Sequence, residues 1–176
     1  MRLLSFAFLF ALASTAIGQS VSTPAVAPGC GDSAVKFDVD TNHSQHPVAK
    51  PDSGRALVYF LQDDNHFESR PRPTTRFGLN GSWVGATQSN SYFYIPVDPG
   101  EHHICAGWQS WVGIGSGKQG AAAHFTAEEG KSYFFIVRDR WLREHGPAEM
   151  KLEPLDSDEA QLLMTKFGFS TFRVRK

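Results

Sequence analysis

Seven histidines, two cysteines and a pair of tryptophans in a glycine-rich stretch are the residues whose types and spacing could support chemistry in this 176-residue chain. A zinc-type site needs ligands that converge from two or more elements, or the HxxxH and HExxH spacings of one helix. Neither spacing occurs. His43 and His46 share a polar stretch, while His102 and His103 are adjacent and so face opposite sides of one strand. A metal candidate therefore requires His43 or His46 to meet His102 or His103 in space. The alternative is a scatter of surface and core histidines, with His102 pairing near the Pro99-Gly100 turn. No cofactor is expected.

Trp108 and Trp111 lie in the stretch Gly107–Gly120, and Arg70 and Arg76 flank Pro71 and Pro73. Exposed aromatics on a rigid scaffold stack against sugar rings or side chains, so these four residues are the candidate ligand-binding set. Against this, large aromatics gain from burial, and the tryptophans could instead cover one end of a core. Hydrolase and phosphate motifs fail on spacing. Gly113–Gly117 reads GIGSG rather than GxSxG, and Lys118 is followed by Gln119 rather than Ser or Thr.

Cys30 and Cys105 stand 75 residues apart. In an exported chain two thiols pair, and closing a loop of that length stabilises by about 4 kcal/mol in the chain-entropy model. The small residues before Cys30, Ala27-Pro28-Gly29, keep lipid attachment open as an alternative, but the apolar run that should lead into a lipidated cysteine ends far upstream. Two free thiols are the remaining possibility.

Export is itself expected from the first residues. Arg2 supplies a positive start, Leu3–Leu12 is apolar apart from Ser5, and Ala16 and Gly18 set small residues ahead of a cleavage point. The apolar run is well short of the ~20 residues that span a bilayer, and nothing later resembles a span. With 17 basic and 18 acidic side chains, no net field favours nucleic acid. The expected location is periplasmic or extracellular.

The elements that must position these residues are mostly short strands. Residues 1–18 read as the signal peptide, 19–33 as an extended leader and 34–176 as a single domain. Ala34–Val39 alternates; Arg55–Gln62 is apolar on both faces, the pattern of a central strand covered on both sides. Thr75–Leu79 and Ser82–Ala86 flank Asn80-Gly81, the dipeptide favoured where both turn residues need positive φ. Ser91–Asp98 contains Pro96, which cannot donate to a ladder and predicts an edge or a bulge. Glu101–Ala106 follows Pro99-Gly100, and Ala122–Thr126 with Lys131–Arg138 predicts a further hairpin around Glu129-Gly130. Met150–Leu155 predicts a last strand. Only the tail, at about 157–167, has helical signals: Asp156 or Ser157 as cap and Asp158 and Glu159 in the first turn. The sum predicts a mainly β fold, an immunoglobulin-like antiparallel β-sandwich with a short C-terminal helix.

The segments GRALVYFLQ, FGLNGSWVGA, SYFYIPVDPGEHHICA and AHFTAEEGKSYFFIV resemble, in order and spacing, a bacterial domain-of-unknown-function family of small exported or lipid-anchored proteins. The latter half is also similar to PEGA and carboxypeptidase-regulatory-type sandwiches. The resemblance implies an immunoglobulin-like sandwich at the cell envelope and no reaction. Its recurring positions, among them Gly54, Tyr59, Gly81, Pro99, Gly100, His102 and Gly130, are turn residues and strand aromatics. The reading that follows is a non-enzymatic envelope-associated binding or structural module meeting an envelope protein or polymer. The alternative is a small secreted metalloprotein or hydrolase built on the loop and strand histidines.

Overall fold

The computed structural model describes residues 30–65, 72–109, 119–141 and 148–176. In chain order the elements are β1 (Phe37–Asn42), β2 (Ala56–Asp63), β3 (Thr74–Leu79), β4 (Ser82–Gln88), β5 (Ser91–Val97) and β6 (Gly100–Trp108). Then come β7 (Gly120–Ala127), β8 (Ser132–Trp141), β9 (Ala148–Pro154), α1 (Ser157–Met164) and β10 (Gly168–Val174). Two sheets form: six strands in the order β1-β10-β5-β2-β8-β9, and four in the order β4-β3-β6-β7. The mainly β sandwich and the helix near the C-terminus match the sequence-based expectation.

Three details correct it. First, the six-stranded sheet is mixed, because β2 runs parallel to β8 and β10 parallel to β5, while the four-stranded sheet is wholly antiparallel. Second, β7 and β8 form no hairpin: the Glu129-Gly130 turn carries the chain from one sheet to the other, as Pro99-Gly100 does between β5 and β6. Third, the helix is followed by a strand. Gly168 opens β10 instead of merely ending α1, and a side chain there would collide with Thr41 of β1.

β2 explains the layering. It is buried from Ala56 to Gln62, and only its last residue, Asp63, is partly exposed. Val58 and Phe60 face the space between the sheets, with Phe77, Phe93, Ile104, Phe135 and Val137. Leu57, Tyr59 and Leu61 face the other way, under Leu155, Ala160, Met164 and Phe167 from the helical segment. An apolar strand on both faces thus finds a sheet on one side and a helix on the other, as burial requires. The helix starts where Asp156 accepts from the amides of Asp158 and Glu159, satisfying two of the donors that every helix start leaves open.

Pro96 meets the edge condition locally. β10 pairs with β5 only at Ser91 and Tyr92, so Pro96 has a ladder partner on one side alone, Leu57 of β2. The Asn80-Gly81 turn has φ of 50° and 83°, both positive as a type I′ turn demands.

Candidate functional site

The disulfide Cys30–Cys105 is formed, with Cα atoms 5.5 Å apart. It lies over Gly78 of β3, the register partner of Cys105, where a Cβ would stand 2.5 Å from the Cys105 sulfur. Residues 30–35, partly assigned to a leader, are therefore fastened across the outer face of the four-stranded sheet. Asp32 accepts from the Trp83 indole at 2.8 Å, and Arg76 Nη1 donates to the Ser33 and Val35 carbonyls. The Arg76 guanidinium also sits 4.2 Å over the Trp83 ring. Burial pulls its pKa down. Arg76, a candidate ligand contact, is a clamp on the incoming chain.

Trp108 is likewise committed. It closes β6 rather than sitting in a loop, is 5% exposed, and donates its indole N–H to Asp139 Oδ2 at 3.0 Å. Its ring belongs to the core. Arg70 and Trp111 lie outside the described residues.

The four candidate metal ligands do not converge. His46 Nδ1 bonds the Phe167 carbonyl at 2.9 Å, and His43 stands beside Gly168, where β10 meets the start of β5. His102 is beyond the other end of β5, a seven-residue strand and so roughly 20 Å away. Both ring nitrogens of His102 are engaged. The Asn80 Oδ1 accepts from the His103 amide at 2.9 Å, so its Nδ2 donates to His102 Nδ1 at 3.0 Å, leaving Nε2 to donate to the Asp98 carbonyl at 2.7 Å. This imidazole bolts the Asn80-Gly81 and Pro99-Gly100 turns together. His103 is exposed on the outer face, opposite His124 of β7, with ring centroids 6.2 Å apart and Glu101 3.8 Å from its Nε2. Among the described residues no group of three or more His, Cys, Asp or Glu side chains is placed to hold a metal ion.

The groups most perturbed from ordinary behaviour are two aspartates not proposed from the sequence. Asp64 and Asp139 are 0% and 1% exposed. They meet where β2, β6 and β8 end. The Gln62 amide donates to Asp64 Oδ1 at 2.8 Å and reaches Asp139 Oδ2 at 3.4 Å, while its oxygen accepts from Thr87 at 2.6 Å. Asp64 Oδ2 and Asp139 Oδ1 accept no hydrogen bond from a described residue. Among the described residues the nearest cation, Arg72, is 4.0 Å from Asp64 Oδ2. Burial pushes Asp64 up to about 6, against the Gln62 hydrogen bond and the Arg72 charge. Burial, reinforced by the Asp64 charge, pushes Asp139 up to about 8. Two carboxylates removed from water with so little compensation cannot both stay charged at neutral pH.

Alternation carried a signal for this cluster. Counting by twos from Val58 and Phe60 leads to Gln62 and Asp64, and from Phe135 and Val137 to Asp139, so all three fall on the inward faces. The arginines around Asp139 masked it, because the Arg138–Arg143 run reads as a solvated strand end. Arg138 does face outward, to Glu153 at 3.2 Å and Glu159 at 2.6 Å.

Comparison of the chain with protein-family models and with curated proteins finds no match in either. Fold and site together define the class: a two-sheet, mixed β-sandwich with a disulfide on one face and a buried carboxyl pair at one end.

Proposed function

We propose that this chain is an exported, non-enzymatic module of the cell envelope, binding or supporting an envelope protein or polymer. The observation that carries the reading is that the side chains best suited to chemistry are committed to holding the sandwich. His102 joins two turns, Arg76 clamps the incoming chain, Trp108 fills the core, and Cys30 and Cys105 are bonded to each other. The disulfide fits an oxidising compartment, and the sequence resemblance points to the same place. Crosslinking and pull-down from the native envelope test the reading. A partner recovered from the envelope fraction supports it. Recovery of the protein in the cytosol with reduced cysteines contradicts it.

A second reading, a small exported metalloprotein, is favoured by one pair. His103 and His124 face each other on an exposed surface, and two imidazoles at that spacing need only modest rotation to share a copper or zinc ion. Metal titration of untagged protein separates the two readings. Stoichiometric binding abolished by His124→Ala favours the metalloprotein.

A further inference from the structure

We propose that the Asp64–Asp139 pair is a proton-operated clamp: one proton held between the two carboxyls fastens the end of β2 to the end of β8, and its loss in alkaline surroundings loosens that end of the sandwich.

The geometry requires a proton. Each carboxyl has one oxygen served by a donor and one without, and a single Gln62 Nε2 bridges the two, 2.8 Å from Asp64 Oδ1 and 3.4 Å from Asp139 Oδ2. A carboxylic acid facing a carboxylate supplies the missing donor to the other's lone pair, whereas two carboxylates present only acceptors. Among the described residues the groups around the pair offer little else. From β2 come the neutral Gln62 and the negative Asp63, the latter turned to the opposite face towards Arg138 at 4.0 Å. β6 contributes the Trp108 N–H and β4 the Thr87 hydroxyl, which is already donated to Gln62. On β9 the register partner of Asp139 is Met150, fully buried and apolar. Arg72, before β3, is the one cation facing the pair among the described residues, and its Nη1 already donates to the Asp64 carbonyl at 3.2 Å. One positive charge at that distance does not neutralise two buried negative ones.

The consequence is directional. The closed end binds a proton that the opened end, with ordinary aspartates in water, releases. Closing is therefore favoured in acid and weakened as pH rises, by up to about tenfold in the equilibrium for each pH unit over which the closed form holds one proton more. Among the described residues the rest of the web is neutral: Asn90 accepts from the Asp64 amide, and Ser170 donates to Ser91.

Amide hydrogen exchange between pH 5.5 and pH 9, corrected for the intrinsic base-catalysed rate, tests this in the full mature chain. Protection at residues 62–64 and 137–139 and at Trp108 is expected to fall about tenfold or more over that range, while protection around the distant Asn80-Gly81 turn, at residues 79–84, stays level. In Asp139→Asn, whose amide supplies the donor without titrating, the fall is expected to be largely lost. Asp64→Asn provides an independent check. Constant protection in the wild type, or protection that rises with pH, overturns the proposal whether or not the variants fold. An Asp139→Asn profile identical to the wild type's also overturns it.

Discussion

Where β2 begins, the sandwich is closed by backbone turns; where β2 finishes, it is closed by buried side chains. At the first end lie Gly54, Asn80, Gly81, Gly100 and Gly130, all with positive φ, and His102 ties two of those turns together. The second end has Gln62, Asp64, Thr87, Ser91, Asp139 and Ser170, all 2% exposed or less. The difference teaches how two kinds of closure respond to their surroundings. A turn stabilised by glycine geometry has no charge to titrate, whereas a polar web with too few donors depends on the protonation state of its acids.

The largest expected effect falls on both ends together. Reducing Cys30–Cys105 releases the chain from the outer face of the four-stranded sheet, and thermal unfolding should show a loss of about 2–5 kcal/mol. Because Asp64 and Asp139 take no part and the released thiols are neutral at both, the loss should be the same at pH 5.5 and pH 7. Next comes Gln62→Leu, which strips Asp64 and Asp139 of their shared amide and leaves Thr87 without its acceptor. A cost of about 3 kcal/mol is expected from denaturant titration, and it should change with pH. Gly81→Ala places a Cβ at φ 83° and should cost about 1–2 kcal/mol, with no pH dependence. Equal pH responses from Gln62→Leu and Gly81→Ala would erase the distinction between the ends. The smallest effect belongs to Arg138→Ala. Its partners Glu153 and Glu159 are half exposed, so the loss should stay below about 1 kcal/mol and shrink further in high salt.

The turn end was legible in the sequence because its signals are local. Asn80-Gly81 needs only its own φ preferences, and Asp156 caps α1 with neighbours two and three residues away. The apolar run of β2 likewise announced burial on both faces. What was not legible depends on distant choices. Glu129-Gly130 reads as the same turn whether the chain pairs back on itself or crosses to the other sheet, and only packing decides. The parallel match of β2 with β8 has no signature in either strand. β10 was missed because the helix signals before it dominated the tail. Asp139 shows the limit for the site: alternation placed it inward, but its partner Asp64 is 75 residues earlier, and nothing in either segment reveals that the two carboxyls meet.

pH supplies the sharpest test, since the relevant acids shift in opposite directions. Asp38 is held below its usual range by its hydrogen bond to Arg175, so its contribution is present above the unfolded value and is lost only as strong acid is approached. Asp64 and Asp139 are raised, so theirs is fully present below about pH 4 and is lost as pH climbs through about 6 and then about 8. Of these three acids, only Asp64 and Asp139 change protonation between pH 5.5 and pH 9. The decisive measurement is the thermal midpoint of the wild type and of Asp139→Asn across that interval. The wild-type midpoint should fall steadily while the variant's stays much flatter. A wild-type midpoint that holds level or climbs would contradict the account.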